Sequence, residues 1–230
     1  LDVGIPLGER DAIALHTGPL EDLTIAQGLV VDRFRNFDEY SVFQPLGLSL
    51  DVKWKLLGFT AFTADVASFD RGGAHVDLIA PFATLGAGYY YDLKPRRMTT
   101  RSGARFVVFD DSSAVAVSDE PSNVYEISGG FDVVRYYTLA VILWTGFAQE
   151  FVAGTNNGFA LHLPNVQIEV GRLSLWAGFL YESGRFSAAP FNSVHPTNRG
   201  LLDTTGRIIA APWLTPAREA GAVTFSCRAS

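Results

Sequence analysis

The residues of this 230-residue chain that could do chemistry are few and widely spaced. Four histidines, His16, His75, His162 and His195, stand far apart along the chain. A serine–histidine–acid triad assembles in space, so spacing alone leaves a lipid hydrolase open, with His195, near Ser193 and Asn198, as its candidate base. The plainer role for each histidine is a place in a wall or at a rim. Three acidic pairs, Asp38-Glu39, Asp110-Asp111 and Asp119-Glu120, offer carboxylate oxygens to a hard cation such as calcium, but none has the spacing of a defined calcium loop. No GxSxG, HExxH, CxxC, P-loop or GxGxxG motif is present. The single cysteine, Cys227, excludes an intrachain disulfide and a zinc ribbon. The expectation is a protein that is not an enzyme and that carries no metal and no cofactor.

The elements around these residues are strands. Residues 46–56 alternate without a fault: Leu46, Leu48, Leu50, Val52, Trp54 and Leu56 against Gly47, Ser49, Asp51, Lys53 and Lys55. The chain reverses near 56–58 and returns with Phe59, Phe62 and Val66. The same grammar recurs at residues 122–133, where Tyr125, Ile127, Phe131 and Val133 alternate with Glu126, Ser128, Gly130 and Asp132, and at Val166, Ile168 and Val170, which alternate with Gln167, Glu169 and Gly171. The strands that return from these last two, residues 139–151 and 173–183, are apolar on both faces. Leu139, Val141, Leu143 and Phe147 are backed by Ala140, Ile142, Trp144 and Ala148, and Trp176 and Leu180 back Leu175 and Phe179. Such strands need something apolar on both sides: lipid outside, and a plug, a second layer or a greasy ligand inside.

Elsewhere, residues 1–7 and 11–17 predict two short strands. Residues 23–34 predict a further strand with Leu23, Ile25, Gln27, Leu29 and Val31 on one face. Residues 75–91 predict one long strand or two, bent at Pro81. Residues 101–110 and two segments within 200–227 add more. No segment has the 3.6-residue period of a helix.

The composition is 48% hydrophobic and 13% aromatic, with 18% charge, against about 25% charge in a usual soluble domain. No run approaches the ~20 apolar residues of a membrane-spanning helix. The net charge of −6 gives no electrostatic reason for nucleic-acid binding, and the one basic cluster, Lys94-Pro95-Arg96-Arg97, fits a solvated turn. Strands of 11 to 13 residues (46–56, 122–133, 139–151) exceed the usual soluble length of about 5–6. Short turns near 56, 136 and 172 alternate with longer loops near 35–44, 68–74, 111–121, 152–158 and 184–199. Aromatic residues sit near strand ends, at Tyr40, Phe43 and Trp54, at Tyr89 to Tyr91, at Phe131, Tyr136 and Tyr137, and at Phe151, Phe179, Tyr181 and Trp213. A soluble β-sandwich or lipocalin-like binding protein is the competing architecture.

With these hairpins, and with the loop GRFSAAPFNSVHPTNR that follows the strand starting at Arg172-Leu173, the chain resembles the outer-membrane β-barrel proteins of double-membraned bacteria. Two features depart from that pattern: Phe225 is followed by SCRAS rather than ending the chain, and a count of strand directions gives an odd number, about 13, where such barrels close with an even one. The resemblance implies an all-β, up-and-down antiparallel transmembrane β-barrel of about 12 strands, a single domain over residues 1–230 or part of a larger barrel. It implies a chain exported with a signal peptide that the sequence does not show, a lipid bilayer with lipopolysaccharide as its surroundings, and other envelope proteins or further copies as partners. The residues expected to line the lumen are Ser49, Asp51, Lys53, Lys55, Glu126, Ser128, Asp132, Trp144, Gln167, Glu169 and Trp176. The expected function is a passive channel or porin for small, amphipathic or hydrophobic solutes. A structural barrel presenting its external loops (residues 35–40 and 184–199) to a partner is the alternative, and a barrel-embedded lipid hydrolase stands behind both.

Overall fold

The computed structural model describes residues 1–7, 11–36, 45–93, 97–98, 105–109, 113–118, 121–170, 173–184, 191–192, 201–202, 208–210 and 222–229. In chain order the strands are β1 (Asp2–Pro6), β2 (Ala12–Gly18), β3 (Val31–Asp32), β4 (Gly47–Trp54), β5 (Leu57–Thr63), β6 (Arg71–Ile79), β7 (Ala83–Asp92), β8 (Arg97–Met98), β9 (Arg105–Phe109), β10 (Ser113–Ser118), β11 (Ser122–Tyr136), β12 (Leu139–Val152), β13 (Thr155–Val170), β14 (Leu173–Gly184), β15 (Phe191–Asn192), β16 (Leu201–Leu202), β17 (Ile208–Ala210) and β18 (Ala222–Ala229). Eleven of them form one antiparallel meander in the order β1-β2-β4-β5-β6-β7-β11-β12-β13-β14-β18. The short strands left over lie within its connections. β8, β10 and β9 make a small three-stranded sheet between β7 and β11.

The all-β, up-and-down architecture agrees with the sequence. The closed barrel of about 12 strands does not appear: the sheet is open, with β1 and β18 at its two edges. There is a topological reason. In a meander of eleven strands the first and last run in the same direction, so β1 and β18 cannot pair antiparallel with each other.

The connections sort by end. At one end they are residues 7–11, 55–56, 80–82, 137–138 and 171–172, two to five residues each. At the other end they are residues 19–46, 64–70, 93–121, 153–154 and 185–221. Four of these five are long. The exception corrects an expected loop at 152–158: Ala153 and Gly154 both have positive φ (49° and 76°), which suits a two-residue hairpin turn, and β13 starts at Thr155. Pro81 lies in the turn between β6 and β7, where its missing N–H costs no ladder bond.

Residues 19–36 also depart from expectation. They form no regular strand beyond Val31–Asp32 but fold back upon themselves, with Leu23 and Phe34 exchanging backbone hydrogen bonds (3.2 and 2.8 Å) and Ile25 N–H donating to the Val31 carbonyl (3.0 Å). Positive φ at Asp22, Ala26, Gly28 and Arg33 turns the chain. Leu20, Ile25, Leu29, Val30, Val31 and Phe34 are buried, and their cluster includes Phe62, Ala64, Tyr90, Val124, Ala148 and Ala160, side chains of one face of the sheet from β5 to β13. This segment is the core, and the sheet packs around it. The face it covers is the inner face. β15, from the opposite end of the meander, pairs parallel with β3 and ties the segment to the β14–β18 connection.

Candidate functional site

The strand register lines up the inner face in rows. One row runs Asp51, Thr60, His75, Gly88, Glu126, Ala148, Ala160, Glu182 through consecutive pairings. The next runs Lys53, Gly58, Asp77, Gly86, Ser128, Gly146. Every Asp, Glu, Lys and Arg of β1, β2, β4 to β7 and β11 to β14 sits at an inward position. The outward positions hold Leu48, Leu50 and Val52; Phe59; Val76 and Leu78; Leu85 and Ala87; Ile127; Leu143 and Phe147; Leu161, Val166 and Ile168; and Phe179, among others, and none of them is charged. Many of these apolar side chains are exposed, Leu85 by 60% and Ile127 by 59%.

Aromatic rings border this apolar band at both ends. Towards the long connections, Tyr91 stacks near Tyr89, Tyr89 near Tyr125, and Tyr125 meets Phe151 (centroids 6.4, 5.2 and 5.8 Å apart). Phe147, Phe159 and Tyr181 continue the ring (5.8 and 5.9 Å). Towards the short turns, Phe82 meets Phe131 (6.2 Å), and Tyr136 meets Tyr137 (4.4 Å).

Inside, one polar cluster is buried and connected. Tyr90 donates its O–H to Glu126 Oε2 (2.8 Å). His75 Nδ1 lies 3.2 Å from the Tyr90 hydroxyl and 3.8 Å from the same carboxylate oxygen, and His75 Nε2 lies 3.1 Å from Asp77 Oδ1. These side chains come from three strands. They meet because β7 offers glycine where it would otherwise block them. A β-carbon at Gly88 would stand 2.7 Å from the Tyr90 hydroxyl and 2.8 Å from His75 Nδ1; one at Gly86 would stand 2.6 Å from Asp77 Oδ1 and 2.7 Å from Ser128 Oγ and would collide with His75 Nε2. Burying a carboxyl group is costly without partners; the phenol and imidazole supply them to Oε2, and Oε1 is buried without one. Tyr90→Phe removes the phenolic donor to Glu126. Its expected cost is about 1.5–3 kcal/mol, the range for a hydrogen bond to a charged group, measured by denaturant unfolding.

The residues expected to line a lumen fall into place unevenly. Ser49, Asp51, Lys53, Glu126, Ser128, Asp132, Trp144, Gln167 and Glu169 are all at inward positions. Asp51 accepts from Thr60 Oγ1 (3.5 Å), Asp132 pairs with Arg135 (2.6 Å), and Gln167 donates to Glu169 (2.8 Å). Lys55 does not join them. β4 ends at Trp54, and Lys55 lies in the turn with φ 54° and its ammonium over the Trp54 ring (5.3 Å). Trp176 pairs in register with Gln167 and Arg228; its side chain lies outside the described residues. So do His195 and the pairs Asp38-Glu39, Asp110-Asp111 and Asp119-Glu120. Among the described residues no group of three His, Cys, Asp or Glu side chains stands where it could hold a metal ion.

Of the cluster's four residues, Glu126 is expected in the lumen, His75 in a wall or at a rim and Tyr90 among the aromatics near strand ends, whereas Asp77 has no expected place. Their signal was parity, since each occupies the polar or small position of its alternating strand. His16 and His162 are inward too. His16 Nδ1 pairs with the Asp2 carboxylate, and His16 Nε2 lies 2.9 Å from the Pro19 carbonyl. Comparison with known protein families, with curated protein sequences and with solved structures found no match for this chain.

Proposed function

We infer that the sheet is the wall of a transmembrane β-barrel of about 12 strands, set in the outer membrane of a double-membraned bacterium, and that the protein is a passive channel whose calibre is set by the inward-folded segment 19–36. The observation that carries this is the separation of charge: an uncharged apolar outer face bounded by two aromatic borders, with every charge of β1, β2, β4 to β7 and β11 to β14 at an inward position. In water such a face is a liability for aggregation; in lipid it is the outward band of a barrel. The short turns at one end and long connections at the other fit the periplasmic and external sides. A twelfth strand, antiparallel to both β1 and β18, would satisfy the two edges that lipid cannot hydrate.

The core of Leu29, Val31 and Phe34 against the inner wall gives the return strands their apolar inner partner, and it argues for a narrow, selective passage rather than a wide aqueous pore. The test is conductance. Purified protein added to a planar lipid bilayer is expected to give discrete current steps of uniform size. Currents no different from a detergent-only control would overturn the channel.

A further inference from the structure

The contacts of the polar cluster form one chain. Asp77 Oδ1 meets His75 Nε2 (3.1 Å), His75 Nδ1 meets the Tyr90 hydroxyl (3.2 Å), and that hydroxyl meets Glu126 Oε2 (2.8 Å). All three are hydrogen-bond distances, and three hydrogen bonds need three hydrogens. A neutral imidazole brings one, a phenol brings one, and two carboxylates bring none. With the imidazole neutral and both carboxyl groups ionised, either tautomer leaves one contact with two acceptors face to face. The third hydrogen is a proton held by the cluster as a whole. It has two places to sit. On the imidazole, Nε2–H donates to Asp77 and Nδ1–H to Tyr90, whose own O–H donates to Glu126. When the Nδ1 hydrogen passes to the Tyr90 oxygen and the Tyr90 hydrogen passes to Glu126 Oε2, the imidazole becomes neutral, Glu126 becomes a neutral acid, and all three contacts are filled again. The second arrangement suits Glu126 Oε1, which is buried without a hydrogen-bond partner, because an uncharged oxygen is less costly to leave there than a share of a carboxylate charge.

A proton needs no cavity. Its entrance is Asp77, whose side chain is 26% exposed while those of His75 and Glu126 are fully covered. Gly58 and Gly86 stand on either side of Asp77 in the register and leave it open. The other charged or titratable groups on the elements around the cluster are Asp51 and Lys53 on β4, Glu150 on β12, His162 on β13 and Asp32 on the inward segment. Asp51 accepts from Thr60 (3.5 Å), Glu150 from Asn157 (2.6 Å) and Asp32 from Thr24 (3.5 Å). Tyr90 is the link to the core, since its ring belongs to the buried cluster that holds Leu29, Val31 and Phe34. We propose that Asp77, His75, Tyr90 and Glu126 hold one shared proton, and that this proton latches the inward segment 19–36 to the wall. Its loss sets two acceptors face to face, breaks the chain at Tyr90 or beside it, and loosens the seat of the segment. The proton site rests on the geometry alone; its effect on a passage rests on the channel proposed above.

The test is denaturant unfolding in detergent micelles from about pH 6 to about pH 9, for wild type and Glu126→Gln. The glutamine amide supplies the third hydrogen itself, donating to Tyr90 with no proton taken from solvent. The folded wild-type chain holds one proton more than the unfolded chain, so its stability falls as pH rises. Its unfolding constant is expected to climb with pH more steeply than that of Glu126→Gln, the difference reaching about tenfold per pH unit where only the folded chain holds the proton. Glu126→Gln is expected to be the more stable of the two at the alkaline end. Equal slopes, or a Glu126→Gln variant less stable than wild type throughout, would overturn the shared proton. Bilayer conductance reads the latch. Wild-type current is expected to be several-fold larger at the alkaline end than at the acid end, and unchanged with pH in Glu126→Gln. A wild-type current indifferent to pH would overturn the latch. Unequal unfolding slopes with no current at any pH would keep the shared proton and remove the channel instead.

Discussion

Leu85→Arg is expected to cost the protein about 2–4 kcal/mol of stability in a lipid bilayer. Leu85 stands midway between the two aromatic borders, opposite Gly129 on β11, and it is 60% exposed. Were that exposure to water, arginine would be tolerated: surface substitutions away from special features usually change stability by about ±0.5 kcal/mol. The two environments thus give opposite results from one substitution. In a barrel wall the guanidinium must be held in hydrocarbon or dragged towards an interface, and there is no inner cavity to receive it, because Leu85 points away from the inner face. The measurement is reversible denaturant unfolding in lipid vesicles, compared with Thr60→Arg, which places the same group on the inner face beside Asp51 and His75. A cost below 1 kcal/mol for Leu85→Arg, with the protein recovered in the aqueous fraction, would rule out the membrane wall.

The sequence made the outer face legible because a strand shows its two faces in alternate residues. Once Asp51 and Lys53 share a parity, Leu50 and Val52 must share the other. It also showed that β12 needs an apolar neighbour inside, since Ile142, Trp144 and Ala148 share the parity of no charge until Glu150. What it did not show was that neighbour. Residues 23–31 carry the alternation of a strand, and their residue types say so; the backbone does otherwise because Ala26 and Gly28 within them, and Asp22 and Arg33 beside them, take positive φ, which alternation cannot report. The polar cluster was hidden for a different reason. Tyr90 and Glu126 are 36 residues apart, and they meet only when β7 and β11 pair in one register, with Gly88 opposite Glu126. A slip of one residue between the two strands would turn either Tyr90 or Glu126 to the outer face. Lys55 illustrates a third limit: perfect alternation ran on through the turn, and only the backbone geometry ends the strand at Trp54.

Asn36→Ala is expected to release the inward segment and to enlarge the proposed channel. Asn36 is 2% exposed and makes three hydrogen bonds: its Oδ1 accepts from Leu20 N–H (2.8 Å), and its Nδ2 donates to the carbonyls of Pro45 (3.1 Å) and Ala64 (2.7 Å). One amide thereby joins the start of segment 19–36, the approach to β4 and the exit of β5. Alanine leaves one N–H and two carbonyls without their partner. Leaving a buried group unsatisfied costs about 1–3 kcal/mol, so an overall loss of about 3 kcal/mol is expected, much of it confined to the segment rather than the wall. Phe34→Ala is the contrasting variant. It removes the ring that packs on Phe62 (centroids 5.4 Å apart) and opens a cavity costing about 3–5 kcal/mol, yet it leaves the Asn36 clasp intact. If the clasp holds the segment in the passage, Asn36→Ala raises single-channel conductance several-fold, and Phe34→Ala, though at least as destabilising, raises it less. Equal conductance in Asn36→Ala and wild type, together with a measured loss of stability, would place the segment off the route and make it structural filling against the inner face of the sheet.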